Sequence, residues 1–230
     1  MSCNYCPNSV SERIEKGFMS KALYEKIIQQ LREINFTGRI SYDFYNEPTL
    51  APDLIFFIYL AKKELPNSKI ELYSNGTKID MPFFIKLEKA GVDKFIITKH
   101  ENITNYLFNE TFSNLSQIQL KKVLFRTFRE IHFTNRGGAL KNIHGKTSTN
   151  FLPCHLPSMM LTITNQGNII PCFEDFYQKN IMGNISDSSL LEIWNSKKYI
   201  SFRNHLLQGL RHKFEACKSC SRTETNEEQV

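Results

Sequence analysis

The chain has 230 residues, of which 41% are hydrophobic, and it carries a formal net charge of +6. This length and composition suit one large or two modest globular domains and exclude a disordered chain. The basic residues are scattered and form no run typical of a nucleic-acid-binding arm. The longest apolar run, residues 54–61, falls well short of the ~20 residues that a membrane span needs. No secretory signal opens the chain, so we expect a cytoplasmic protein without membrane or nucleic-acid partners.

Helix and strand patterns alternate through the first 140 residues. Hydrophobic spacing predicts helices over residues 20–34, 53–64 and 81–90, and a fourth within 114–124. Alternating apolar residues predict strands near 40–44, 70–72, 95–98 and 131–133. Because the connections are of turn length, this order predicts an α/β fold of parallel β/α units, as part of a TIM-like barrel or as an open sheet.

A polar stretch then interrupts the alternation. Residues 140–150 are rich in Gly, Lys, Ser and Thr, and they predict a boundary between domains 1–142 and 143–230. In the second domain we expect a hairpin within 161–171 and a helix near 190–204, in a small cysteine-rich α+β fold.

The cysteines cluster toward the two ends of the chain. They lie at positions 3, 6, 154, 172, 217 and 220, and two of the pairs are C-x2-C. A small disulfide-stabilised secreted protein spreads its cysteines densely along a short chain. The pattern therefore favours metal or cluster ligation over disulfide bonds.

The segment Cys3-Asn4-Tyr5-Cys6, followed by alternating helix and strand, resembles the end of the C-x3-C-x2-C signature of the radical S-adenosylmethionine (SAM) superfamily. The resemblance implies that Cys3 and Cys6 bind a 4Fe–4S cluster with a third cysteine. It also implies a chain that starts at an internal methionine, with that cysteine and the first strand upstream. In this family, SAM binds the open iron and is cleaved reductively to a radical that abstracts hydrogen from the substrate.

Two strand-end motifs carry the resemblance further. Tyr45-Asn46-Glu47-Pro48 resembles the Gly-Glu-Pro motif that holds the SAM amino group, with Asn46 in place of glycine. Ser74-Asn75-Gly76-Thr77 resembles a Thr-Asn-Gly stretch one β/α unit later. The resemblance implies that Asn46, Glu47, Pro48, Ser74 and Asn75 bind SAM; taken alone, both motifs are ordinary turns.

Two further strand ends supply candidate residues. Thr98, with Lys99 and His100, follows the third predicted strand, where barrel enzymes place their sites, and is a candidate SAM contact. Arg136-Gly137-Gly138 follows the predicted strand at 131–133. Its glycines would let a ligand approach the backbone, and Arg136 is a candidate catalytic base or substrate anchor.

The C-terminal cysteines resemble the SPASM/Twitch auxiliary domain of many radical SAM enzymes. Cys154, Gly167 and Cys172 form C-x12-G-x4-C, and Cys217 and Cys220 form C-x2-C. Gly-Asn-Ile and Ile-Trp-Asn runs lie between them. Four cysteines imply the Twitch version, with one fully ligated auxiliary 4Fe–4S cluster suited to electron transfer. From the residues alone, a tetrahedral zinc site remains an alternative.

The resemblance is to aminocyclitol dehydrogenases within the Twitch group. It implies oxidation of a sugar or aminocyclitol alcohol to a ketone, with the auxiliary cluster accepting an electron from the substrate radical. A peptide- or protein-modifying maturase and a non-catalytic metal-binding protein are the alternatives. The expected partners are a small-molecule or peptide substrate and an electron donor such as flavodoxin or ferredoxin.

Overall fold

The computed structural model describes residues 3, 5–100, 106–131, 133–141 and 151–223. Internal contacts divide the chain into two compact units. One unit consists of Met1–Leu23 with Phe133–Val230, and the other of Tyr24–His132. The contacts thus group the first residues with the C-terminal part. The domain boundary at 142/143 stays a prediction.

The unit of residues 24–132 is built of β/α units around a parallel sheet. The strands pair in the order β1-β2-β3-β4, and every neighbouring pair is parallel. In chain order the elements are α1 (Lys21–Glu33), β1 (Arg39–Tyr42), α2 (Leu54–Glu64), β2 (Lys69–Ser74), α3 (Met81–Ala90), β3 (Lys94–Lys99), α4 (Leu107–Ser113), α5 (Gln117–Leu120) and β4 (Val123–Thr127). The predicted α/β class is confirmed.

Local signals explain why the third helix forms where the sequence predicts it. Asp80 caps α3 by accepting a hydrogen bond from the Phe83 backbone N–H at 2.8 Å. Gly91 ends it with φ of 123°, a conformation that costs glycine little. Between these ends, the ring of Phe84 stacks on that of Phe95 in β3 at 4.4 Å between centroids. This contact docks the helix on the sheet.

Three predictions for this unit need correction. The fourth strand is Val123–Thr127, and neither Ile131 nor Phe133 is in a strand, while His132 lies outside the described residues. No residue of β4 is fully buried, so the strand lacks the apolar pattern that would reveal it. The helix within 114–124 is only the single turn α5, and the strand at 40–44 ends at Tyr42.

The other unit carries a small antiparallel sheet and several short helices. Its elements are α6 (Leu156–Met159), β5 (Thr162–Ile163), β6 (Asn168–Ile170), β7 (Gly183–Asn184), α7 (Leu190–Trp194), α8 (Lys197–Leu207) and α9 (Glu215–Lys218). The strands pair in the order β5-β6-β7, which confirms the predicted hairpin. The helix predicted near 190–204 is two helices, because Ser196 begins a second one by capping the Tyr199 N–H.

Helices of this length do not cross bilayers. Among the helices of the described residues, none combines the length and the apolar character of a transmembrane span.

Candidate functional site

In the unit of residues 24–132, Glu47 joins two strand ends. It follows β1 and caps a 3-10 helix, Pro48–Leu50. Its Oε1 accepts hydrogen bonds from the Ser74 hydroxyl at 2.7 Å and from the Thr49 hydroxyl at 2.6 Å. Its Oε2 accepts one from the Asn75 N–H at 2.7 Å. The structure therefore brings Glu47, Ser74 and Asn75 together.

The backbone that leads to Glu47 is unusual. Phe44 and Tyr45 have φ values of 110° and 54°, which side-chain-bearing residues seldom adopt. Such backbone often occurs where a functional side chain must be aimed. Pro48 is buried and Glu47 is half-buried, whereas Asn46 is exposed, so the Asn46-Glu47-Pro48 motif is only partly enclosed.

A tyrosine side chain binds the loop that follows β2. The Tyr106 hydroxyl donates a hydrogen bond to the Asn75 carbonyl. Burial, and next the charge of Glu47, raise the pKa of Tyr106 well above its usual range, so the phenol keeps its proton. A Cβ on Gly76 would lie 2.3 Å from the Tyr106 hydroxyl, which explains why glycine stands there.

Thr98 lies at the same edge of the sheet. Residue Ser74 pairs in register with Ile97, so the carboxyl ends of β2 and β3 are level. Thr98 is 6% exposed, and its hydroxyl accepts a hydrogen bond from Arg126 Nε at 3.3 Å. No hydrogen bond joins Thr98 to Glu47 or Asn75 among the described contacts.

In the other unit, the N-terminal cysteines lie in a tight turn. The Cys6 N–H donates to the Cys3 carbonyl at 2.9 Å, and both thiols are free of disulfide bonds. Cys3 is buried and Cys6 is half-buried. The ring of Tyr5 packs against that of Phe133, with 4.5 Å between centroids. These contacts fix the turn within its own unit.

The four C-terminal cysteines influence one another. Burial raises the pKa of Cys172 well above its usual range, and the nearby charges of Glu174, Cys154 and Cys220 raise it further. Burial, and next the charge of Glu174, raise the pKa of Cys220 to about 12. Burial likewise raises the pKa of Cys217, with added contributions from Cys220 and Cys154. The four thiols therefore share one half-buried neighbourhood.

Backbone amides point at three of these sulfurs. The Glu174 N–H donates to Cys172 Sγ at 3.4 Å, and the N–H groups two residues beyond Cys154 and Cys220 do the same. Such donors stabilise a thiolate over a thiol. In the cluster-free chain they oppose the effect of burial, which still raises the pKa of Cys154, Cys172 and Cys220.

The donor set fits a 4Fe–4S cluster. Four thiolates with N–H donors are the usual ligands of such a cluster, in which each sulfur binds a different iron. A single zinc ion needs all its ligand atoms within about 2.3 Å of one point. Within the described ranges, no three His, Cys, Asp or Glu side chains are grouped tightly enough for a single ion. The chemistry of the donor set, four cysteine sulfurs with N–H donors, matches the usual ligands of a 4Fe–4S cluster.

A buried carboxylate lies beside the thiols. Glu174 is 4% exposed, and its Oε1 contacts Arg222 Nε at 3.0 Å and Arg136 Nη1 at 3.4 Å. Thr134 also donates its hydroxyl to Glu174. Sequence reasoning selected Arg136 and missed Glu174 and Arg222. Each lies two residues after a cysteine of the predicted ligand set, which is the signal that could have identified both.

The Arg136-Gly137-Gly138 segment is a turn, not a strand end. The three residues have φ of 51°, 61° and 90°. A Cβ on Gly137 would lie 2.6 Å from the Glu174 carbonyl oxygen, and one on Gly138 would lie 2.7 Å from the Ser219 Cβ. The glycines therefore admit the close approach of the cysteine-bearing segments of the protein itself, and the expectation that they admit a ligand stays a prediction.

Comparison with known families matches both parts of the chain. A model of the radical SAM superfamily matches residues 1–100, and a model of the SPASM iron–sulfur cluster-binding domain matches residues 154–221. The S-adenosyl-L-methionine-dependent 2-deoxy-scyllo-inosamine dehydrogenase of Niallia circulans is 37% identical over 228 residues. The alignment covers 99% of this chain and 90% of that protein.

Solved structures of similar fold also match the chain along its full length. The crystal structure of BtrN in complex with AdoMet and 2-DOIA superposes with a TM-score of 0.92 at 37% identity, covering 100% of this chain and 92% of that one. An open conformation of BtrN gives a TM-score of 0.79 at 32% identity, covering 100% and 90%. The cofactors of such a protein are 4Fe–4S clusters and SAM. The chain therefore belongs to the radical SAM superfamily, as a radical SAM enzyme with a C-terminal SPASM-type iron–sulfur domain.

Proposed function

We propose that this enzyme is a dehydrogenase that oxidises a secondary alcohol of an aminocyclitol to a ketone. The observation that carries the proposal is the 37% identity to a 2-deoxy-scyllo-inosamine dehydrogenase along 99% of the chain. Similarity over the full length covers the cofactor-binding and the auxiliary regions together. A peptide substrate has no comparable support among relatives of this similarity.

The residues divide into those that hold iron and those that hold SAM. Cys3 and Cys6 are the proposed ligands of the SAM-binding cluster. The proposed ligands of the auxiliary cluster are Cys154, Cys172, Cys217 and Cys220. When bound, the clusters and SAM supply the one-electron chemistry that removes a hydrogen atom, a proton and an electron from the alcohol, and SAM becomes methionine and 5′-deoxyadenosine.

Glu47 is the proposed anchor for the SAM ammonium group. Three donors occupy its Oε1, whereas its Oε2 receives the Asn75 N–H and retains acceptor capacity. A charge-assisted hydrogen bond to an ammonium group would use that capacity. The proposed SAM-contacting set is Asn46, Glu47, Pro48, Ser74, Asn75 and Thr98.

Arg136 is the proposed substrate anchor. Its guanidinium is 22% exposed and is held by Glu174, the carboxylate that lies beside the auxiliary cysteines. A guanidinium presents its donors in a planar fork, a geometry that suits the binding of substrate hydroxyl groups. Because Glu174 fixes one arm, Arg136 can orient a polyol and keep it close to these cysteines.

The electron donor and the compartment are also part of the proposal. A flavodoxin or ferredoxin would supply the electron that cleaves SAM. Six cysteines without a disulfide bond, together with the cluster chemistry, suit the reducing conditions of the cytoplasm.

The test is turnover with a defined substrate. Under anaerobic conditions, the reconstituted enzyme with SAM and a reductant should convert 2-deoxy-scyllo-inosamine to its ketone. One 5′-deoxyadenosine should form for each ketone. Mass spectrometry of both products, with the 1-epimeric alcohol as a control, provides the measurement. If 5′-deoxyadenosine forms at the same rate with and without the aminocyclitol and no ketone is made, the proposed substrate is wrong.

A further inference from the structure

Arg211 is the most deeply buried cation among the described residues. It is 2% exposed and lies in a 3-10 helix, Arg211–Lys213. Its Nη1 donates to the carbonyl of Arg222 at 2.7 Å, and its Nη2 donates to the carbonyl of Pro153 at 3.1 Å. Its Nε is buried and has no hydrogen-bond partner. Burying a donor without a partner costs free energy, so this N–H is a candidate to bind a group held at the site.

The two carbonyls belong to segments that carry cluster ligands. Pro153 immediately precedes Cys154, and Arg222 follows Cys220 by two residues. A planar guanidinium that binds both carbonyls fixes the distance between these segments. Arg211 therefore acts as a clamp across two parts of the chain that are far apart in sequence.

The charge of Arg211 also reaches the thiols. Burial raises the pKa of Cys154, and the positive charge of Arg211 is the largest influence that opposes it. The same charge opposes the rise at Cys217 and Cys220. Since Glu174 acts in the opposite sense, Arg211 provides a counter-charge at this site.

We propose that Arg211 is a positioning residue that tunes the auxiliary cluster. Its Nη groups clamp the ligand segments, and its Nε–H donates to a cluster sulfur. The inference rests on the proposed four-cysteine ligand set. A cation and an N–H···S hydrogen bond both stabilise the more negative, reduced cluster, so Arg211 raises the reduction potential. A higher potential makes the cluster a better acceptor for an electron leaving the substrate.

The experiment measures this potential without substrate. In the full chain with Cys3→Ala and Cys6→Ala, only the auxiliary cluster can assemble. A redox titration followed by electron paramagnetic resonance then compares Arg211→Lys and Arg211→Gln with this parent. The lysine keeps the charge but loses Nε–H, so we expect the potential to fall, and to fall further in the glutamine variant.

Lys218→Gln is the matched control. It removes the same charge one residue from Cys217, but the lysine is 47% exposed and paired with Glu215 at 2.7 Å. Solvent screens such a charge, so the reduction potential of the Lys218→Gln variant should equal that of the parent. Arg211 variants with full iron content and the potential of the parent would overturn the inference.

A second measurement needs no variant at Arg211. Arginine labelled with 15N at Nε is incorporated into the parent, and pulsed paramagnetic resonance of the reduced cluster is recorded. We expect a 15N coupling from Arg211 Nε. The coupling is not assigned to Arg222, because the Nε of Arg222 donates to Glu174. The absence of any 15N coupling would overturn the inference even if the variants fail to hold iron. A parent that assembles no cluster would instead refute the proposed ligand set, whereas failure of the alcohol oxidation would leave these readouts unchanged.

Discussion

Glu47 accepts a hydrogen bond from the backbone N–H of Asn75 at 2.7 Å, and this bond joins the ends of two neighbouring parallel strands. The carboxylate is both a structural link and the proposed anchor for the SAM ammonium group. Both of its oxygens accept hydrogen bonds, from the Ser74 hydroxyl and from the Asn75 N–H. A glutamine at this position would direct its NH2 group at one of these donors.

The first prediction follows from this arrangement. Glu47→Gln in the reconstituted enzyme should weaken SAM binding by roughly 10- to 100-fold, since a hydrogen bond to a charged group contributes about 1.5–3 kcal/mol. Isothermal titration with SAM measures the change. Glu88→Gln is the control, because Glu88 pairs at 2.8 Å with Lys122, which precedes the amino end of β4, whereas Glu47 lies at the carboxyl ends of β1 and β2. Equal affinities in the two variants would argue against Glu47 as the anchor.

Arg136 should separate SAM cleavage from substrate oxidation. Arg136→Lys keeps the charge but loses the planar fork, so the substrate is no longer aligned. We expect ketone formation to fall by about 10²-fold, an effect typical of misplacement, while 5′-deoxyadenosine still forms. Product ratios measured by mass spectrometry check this. Arg32→Lys, an exposed arginine paired with Glu64, should behave as the parent does, and a similar loss there would contradict the assignment.

The auxiliary cysteines should be required for product but not for SAM cleavage. In the double variant Cys217→Ala and Cys220→Ala, iron content should fall by about four per chain, because one cubane is lost. We expect 5′-deoxyadenosine formation to remain largely intact and ketone formation to disappear. Iron analysis and product analysis are done on the same sample, with Lys218→Gln as the control. Normal ketone formation by the double variant would show that the electron-acceptor role is wrong.

Gly137 should be irreplaceable for steric reasons. Gly137→Ala places a Cβ 2.6 Å from the Glu174 carbonyl oxygen at a φ of 61°. We expect the free energy of unfolding to fall by about 1–3 kcal/mol, as measured by urea denaturation. Gly17→Ala also places alanine at a positive φ, 98°, but meets no atom within 4 Å, so it reports the backbone strain without a steric contact. If the free energy of unfolding falls equally in both variants, the close approach to Glu174 does not contribute to the loss.

The cluster-free chain should lose stability in mild alkali. Burial raises the pKa of Cys220 to about 12 and that of Cys172 and Cys217 above the unfolded value of about 8.5. The unfolded state then releases protons first. The thiol contribution to stability is complete below about pH 8.5 and is lost as the pH rises toward the folded pKa values.

Urea denaturation between pH 7 and 9.5, below the range of tyrosine ionisation, provides the test. In the control with Cys217→Ser and Cys220→Ser, the decline should be smaller, because serine does not titrate there. An identical decline in both chains would contradict the burial of these thiols.

Local patterns determined much of the fold. The helices α1, α2 and α3 and the strands β2 and β3 lie close to where hydrophobic spacing and capping residues predict them, because these signals act over a few residues. Strand β4 was missed since its side chains are half-buried or exposed, and burial at a sheet edge depends on distant parts of the chain.

The sequence by itself determined the cofactor chemistry, because cysteine spacing and short strand-end motifs are local features. Only the tertiary structure decided which charges surround the sulfurs. Glu174 meets Arg222 across 48 positions, and Arg211 meets Pro153 across 58. Such contacts depend on the folded chain, because an unpaired charge becomes costly only when folding buries it.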